Sequence, residues 1–199
     1  MDDRPRPRGR PRTFDTDEAL AKIADVFRMR GLDAASLDDI SEATGLSRPS
    51  LYAAFGNKND LYLAALDAFT SKVAQTAAQC LEQTGKIEDI LDDFFDALVD
   101  LYTPGDKNTL GCLVWGTAPA AIHSEAVQAR LSAVLSALDA LLLSVMQRAG
   151  AHETAQAAAE LLANTVIGVS TRARAGTDPA EIRAHTRRAA KFIAAGLKK

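Results

Sequence analysis

Apolar positions recur at helical spacing along nearly the whole chain. Leu20, Ile23 and Phe27 form one buried stripe, on a helix that Thr16 opens and Gly31 ends. Ser36, with Asp39 three residues on, has the form of a capping box for a second helix. Leu37, Ile40 and Ala43 are expected to face its core. Thr44 to Ser47 reads as a tight turn, with Gly45 where the backbone needs positive φ. A short helix follows, Arg48 to Phe55, fenced by Ser47 as N-cap and Gly56 as stop. A helix of roughly two turns is marginal alone. Its neighbours must hold it, and its outer side must be wanted for something.

The wheel of that helix separates its two sides. Leu51 and Phe55 point inward, while Pro49, Ser50 and Ala53 point away, flanked by Tyr52 and Ala54. The outer face is small and uncharged, so it can approach a flat polar surface closely. Arg48 at the helix start can reach past it. Three helices in about 45 residues, the last two joined by a Gly-containing turn, make a helix-turn-helix.

The remainder is also helical. Asn57 opens a long fourth helix running to about Gln83 and carrying Leu61, Ala65, Leu66, Phe69 and Val73. Thr84 and Gly85 break it. Ile87 to Tyr102 is strongly amphipathic, setting Phe94, Phe95 and Leu98 against a row of carboxylates. A loop over 103–111 leads to a short apolar segment broken near Gly116 and Pro119. Ser124 to Arg148 and Glu153 to about Arg174 read as further helices. Asp178 and Pro179 start the last, which ends near Gly196. The expected fold is all-α: a basic arm over 1–14, a three-helix unit over 15–60, and a helical bundle over 61–199.

Composition agrees with this pattern. The 199 residues are 47% hydrophobic and only 6% aromatic, which favours helix over sheet. No uninterrupted apolar run approaches the ~18 residues of a membrane span, and the N-terminus lacks a signal-peptide core. Two cysteines make no disulfide framework. These readings place the chain in the cytoplasm, away from membranes.

The net charge of −3 does not announce a nucleic-acid partner, and the distribution of charge matters more. Arg4, Arg6, Arg8, Arg10 and Arg12 crowd the first residues, and interleaved prolines keep that arm extended. Arg8-Gly9-Arg10-Pro11 resembles an AT-hook, a flat strip suited to a narrow minor groove. The alternative is a solvated tail.

From Thr13 to Leu66 the sequence resembles the TetR family of bacterial transcription regulators. The matching features are a first helix ending in Gly, then Ser-Leu-x-x-Ile, Gly-Leu-Ser and Leu-Tyr-x-x-Phe-x-x-Lys. The resemblance implies that Arg48 reaches base edges, where a guanidinium forks onto guanine O6 and N7. It implies base or thymine-methyl contacts for Pro49 and Ser50, with Ala53 on the same face. It implies phosphate contacts for Tyr52, Lys58, Ser36 and Ser47, which set register. Ala53 and Ala54 depart from members carrying a large aromatic and a His there, so fewer side chains read bases and the arm gains weight. Structural readings stand beside these: Tyr52 as packing, Lys58 as a solvated charge, Ser36 and Ser47 as caps.

Past about residue 70 no family signature remains. Broken apolar pieces beside long helices tend to leave cavities. Phe69, Val73, Phe94, Leu98, Tyr102, Leu113 and Trp115 are the candidates for lining one, and they point to a small, largely apolar effector. The last two helices are the dimer candidates. Ala163, Val166, Ile167 and Ser170 on one, and Ala189, Phe192 and Ile193 on the other, would form a four-helix interface about a two-fold axis, as the family does. Ordinary intrachain packing is the competing reading.

Other chemistries find little support. No GxxxxGK[ST], HExxH, GxSxG or CxxC occurs, and His123, His152 and His185 lack ligand spacing, so neither an enzyme nor a cofactor is expected. Cys80, Cys112 and His123 remain open as a thiol or metal sensor, against inert core thiols. A helical adaptor binding another protein is the third class. The preferred reading is a homodimeric, ligand-responsive repressor on a palindromic double-stranded DNA operator.

Overall fold

A computed structural model describes residues 14–105, 110–116, 123–150 and 153–197. The described residues are helical, with no strand among them. The helices are α1 (Thr16–Ala34), α2 (Leu37–Thr44), α3 (Arg48–Phe55), α4 (Lys58–Leu81), α5 (Ile87–Tyr102), the single turn α6 (Leu113–Gly116), α7 (Glu125–Arg148), α8 (Ala155–Arg174) and α9 (Pro179–Gly196).

Local chemistry sets most boundaries. Asp15 caps α1 by accepting from the backbone N–H of Asp17 and Glu18, and the backbone leaves helical geometry at Gly31. Ser36 and Asp39 complete a reciprocal capping box on α2. Gly45 closes α2 in the left-handed region, at φ 73°. Asn57 and Asp60 form a second box at the start of α4. Asp178 caps α9, with Pro179 in its first turn. Glu153 lies outside α8, which starts at Ala155 without a side-chain cap.

One core runs through the molecule. Ile23 and Phe27 of α1, Ile40 of α2 and Leu51 of α3 pack with Leu61, Tyr62 and Leu66 of α4. Phe27 meets Tyr62 edge-on, with ring centroids 5.0 Å apart. The same core continues through Leu91, Phe94, Phe95 and Leu98 of α5 into α8 and α9. Within α2, Ile40 is buried and Leu37 half-buried, but Ala43 is exposed. A two-turn helix has room for one inward row, and Ile40 fills it.

Among the described residues α7 is the one helix long and apolar enough, by length and composition only, to cross a membrane. Counting uninterrupted runs missed this, because Ser132, Ser136 and Asp139 punctuate it. Its Val127, Leu142, Val145 and Met146 are buried in the core, and Leu131, Val134, Leu138 and Leu141 pack against it.

Candidate nucleic-acid interface

α3 is held by one side and open on the other. Leu51 is buried, and Phe55 is half-buried with its ring 6.2 Å from that of Phe14. Ser47 Oγ accepts from the Ser50 amide at 3.3 Å and lies 2.9 Å from Ser50 Oγ. Pro49 occupies the first turn, where a missing N–H leaves nothing unpaired. Pro49, Ser50 and Ala53 are exposed, and Tyr52 is 52% exposed. The outer face therefore carries two small side chains and a proline, with the Tyr52 phenol beside them. Packing does not occupy Tyr52.

Arg48 stands exposed at the start of α3. Its guanidinium is forked onto Asp38 of α2: Nε donates to Oδ1 at 2.7 Å, and Nη2 donates to Oδ2. These hydrogen bonds, with the attraction of the same carboxylate, hold Arg48 above its ordinary pKa. Lys58 Nζ donates to the Asp33 carbonyl at 3.0 Å, tying the start of α4 to the end of α1. Ser36 Oγ donates to Asp39 Oδ2 at 2.7 Å. Asp39 is shifted below the usual carboxylate range, first by its hydrogen bonds from Ser36 and then by Arg30, 3.0 Å away. Ser36, Ser47, Arg48 and Tyr52 are each exposed, and the Arg48–Asp38 fork ties α2 to the start of α3. Arg8 and Arg10 lie outside the described residues.

A cavity of about 340 Å³ lies in the second unit, between α4, α7 and the α6 region. Val73, Tyr102 and Trp115 line it, together with Cys112, Val134, Leu138, Leu141 and Val166. Phe94, Leu98 and Leu113 do not. All three are buried core residues; Phe94 and Leu98 lie on the part of α5 that packs against α4, α8 and α9. Phe69 lines a separate cleft between α1, α4 and α5.

One residue escaped sequence reasoning. Arg28 of α1 is 4% exposed. Its Nε and Nη2 donate to the Gly111 carbonyl at 2.8 and 2.6 Å, and Nη2 donates to the Leu101 carbonyl at 2.9 Å. Nη1 pairs with Asp25 at 2.9 Å, and the guanidinium carbon lies 5.0 Å from the Phe69 ring centroid. Burial lowers its pKa, and Asp25 opposes that. Arg174 of α8 donates to the Arg28 carbonyl at 2.8 Å. Gly111 has φ 63°, and a Cβ there would sit 2.8 Å from the Ser170 carbonyl oxygen. Its neighbour Cys112 donates its amide to Ser170 Oγ at 2.8 Å and lines the cavity. α1 of the three-helix unit is therefore bonded to the Gly111–Cys112 strap, of which Cys112 lines the cavity. Asp25, one turn before Arg28, was the only local signal.

The dimer candidates divide. Ala163, Val166, Ser170 and Ile193 are buried within the single chain. Val166 faces the cavity and Ser170 holds the strap, so these side chains are used internally. Ile167 and Ala189 are half-buried. Phe192 is 73% exposed and, with the 49% exposed Leu161, flanks an apolar groove between α8 and α9. Both thiols are free, and burial pushes each above its ordinary value, away from the reactive thiolate. Among the described residues, no cluster of three or more His, Cys, Asp or Glu could hold a metal.

Comparison with known proteins agrees with this geometry. Residues 19–65 match the profile of bacterial regulatory proteins of the tetR family. Over 108 residues the chain is 40% identical to the transcriptional repressor ComR of Escherichia coli, covering 54% of this chain and 51% of ComR. It thus spans about half the length of that relative. It is 28% identical over 170 residues to the transcriptional repressor BdcR of Escherichia coli, covering 84% of this chain and 83% of BdcR. The TetR family regulator CifR, solved as a cysteine-substituted form with 26 bp double-strand operator DNA, superposes with a TM-score of 0.78. That match is 31% identical and covers 92% of this chain and 98% of CifR. Helix-turn-helix, following bundle and sequence together make this chain a member of the TetR family of transcriptional regulators.

Proposed function

We propose that the protein is a ligand-responsive repressor that binds a palindromic operator as a homodimer. The observation carrying this reading is the outer face of α3, where Pro49, Ser50 and Ala53 stand exposed above a buried Leu51. A surface that small can settle into a major groove. Arg48 leaves Asp38 for a guanine edge, while Ser36, Ser47, Tyr52 and Lys58 take phosphates. Arg8 and Arg10 add charge from the arm, in the neighbouring minor groove. The names of ComR and BdcR, and the operator complex of CifR, support the repressor reading.

Dimerisation falls to the exposed apolar side of α8 and α9, led by Leu161 and Phe192. The effector enters the cavity beside α4. Its presence moves α4 and the Gly111–Cys112 strap, and Arg28 passes that movement to α1. An effector does this only by binding the two arrangements unequally.

The test is recovery of bound DNA. Fragments of the encoding genome retained by the purified protein should share an inverted repeat, with half-sites about 34–36 Å apart or a multiple of that. Retained fragments sharing no sequence would reject the reading.

A further inference from the structure

The cleft between α1, α4 and the end of α5 holds about 750 Å³, more than twice the volume of the cavity beside α7. Neither the α3 face nor the cavity makes use of it. Its apolar lining includes Leu20 and Ala24 of α1, Phe69 of α4 and Leu101 of α5. Three carboxylates line it as well, Asp17, Asp25 and Asp100. Asp17 is exposed. Asp25 gives Oδ1 to Arg28, and Asp100 gives Oδ1 to Arg183 at 2.6 Å. Their side chains are 48% and 74% exposed, so each keeps a second oxygen for another donor. Of the two cations in the lining, Arg28 is buried and committed to the Gly111 and Leu101 carbonyls, which leaves Lys72 as the exposed one.

We propose that this cleft is the docking surface for the basic arm of the same chain, residues 1–13, and that the cleft competes with DNA for the arm. The described residues start at Phe14, three before Asp17, so the arm departs beside one end of the cleft. Asp17 and Arg28 stand ~16 Å apart along α1. Thirteen residues in extended, proline-rich geometry reach ~40 Å, enough to turn back and run that length. The chemistry is complementary. Arg4, Arg6, Arg8, Arg10 and Arg12 outnumber Asp2 and Asp3, and guanidinium forks fit carboxylates. The interleaved prolines suit an apolar lining that includes an aromatic ring. Each exposed ion pair is weak. The tether compensates: a short link holds the arm at an effective concentration of about 1 mM, so a site of millimolar intrinsic affinity is filled about half the time. Binding to random DNA rests almost wholly on contacts between cations and phosphates, so a docked arm weakens it most.

The full-length protein, without DNA, is digested briefly with trypsin beside a free peptide of residues 1–20, and the cuts are followed by mass spectrometry. Within the arm trypsin cuts after Arg8 and Arg12, since Arg4, Arg6 and Arg10 precede proline. Both cuts should be about twofold or more slower in the protein than in the peptide. Gln75→Lys adds a cation to the cleft, and Lys72→Glu exchanges one for a carboxylate; both positions are exposed on α4. The first should speed the cuts toward the rate of the peptide, and the second should slow them, by up to roughly fivefold. Affinity for a random duplex should rise in the first variant and fall in the second. In a full-length chain with all five arm arginines replaced by glutamine, that difference should vanish. Cuts as fast in the protein as in the peptide, or cuts indifferent to both substitutions, would overturn the docking. So would protection that grows with protein concentration, which would place the arm on another copy. Charge-dependent protection with unchanged affinity for random duplex would overturn the competition with DNA. The digestion contains no DNA, so its outcome is separate from that of the operator reading.

Discussion

In the free protein Arg48 is forked onto Asp38, the first helix of the helix-turn-helix holding the cation of the second. The pair is exposed, with side chains 56% and 71% accessible, so it is cheap to open. It holds Arg48 in place at the start of α3 and occupies its fork. Arg48→Ala should weaken operator binding by roughly ten- to a hundredfold while leaving random DNA nearly unaffected. Asp38→Asn should tighten operator binding by up to roughly fivefold, the value of an exposed ion pair. In the double variant the Asp38 effect should disappear. Competition binding with operator and scrambled duplexes measures all three.

Lys58 is placed differently. It lies off the α3 face and is tethered to the Asp33 carbonyl at 3.0 Å, at the first residue of α4. Lys58→Ala should weaken specific and random binding alike and lower the slope of log affinity against log salt by about one. A salt series on both duplexes checks it.

Arg28 is a buried cation whose hydrogen bonds to Gly111 and Leu101 join α1 to the second unit. Arg28→Met removes the charge and leaves carbonyl oxygens without their donors, costing about 2–5 kcal/mol in a denaturant melt. Where the variant stays folded, an effector should bind but no longer release the operator.

Asp92 on α5 carries a raised pKa, chiefly from burial, with Arg187 opposing and Asp96 adding. One of its oxygens is buried without a partner. Below the unfolded value near ~3.9 both states are protonated and the cost of the charge is absent; above the folded value it is fully present. Asp92→Asn should therefore raise the melting temperature at neutral pH, and the gain should fade as pH falls through the carboxylate range. Melts from pH 3.5 to 7.5 follow it.

The readable parts of this fold were the local ones. Ser36 with Asp39, Gly45 and the opposed Leu51 and Ala53 act within a turn or two of chain, so spacing reveals them. Helical periodicity also says that Phe94 and Leu98 face inward. It does not say whether the inward side fills space or bounds a void, and α5 fills it. The void opens instead beside α7, where Val134 and Leu138 stand off from α4. Val166 and Ser170 looked like a close-packing stripe for a partner chain, but they face this chain's own strap and cavity. Arg28 was invisible because its acceptors lie 73 and 83 residues away.

The outer face of α3 is tested most directly at Ala53, where the structure leaves a side chain free to grow without disturbing the fold. Ala53→Glu should melt like the wild type, yet its added length and charge would meet the duplex. In a nuclease footprint on the recovered operator, the wild type should protect both arms of the inverted repeat and Ala53→Glu should protect neither. Equal protection at equal protein concentration would contradict the account, because α3 would then not be the surface that meets DNA.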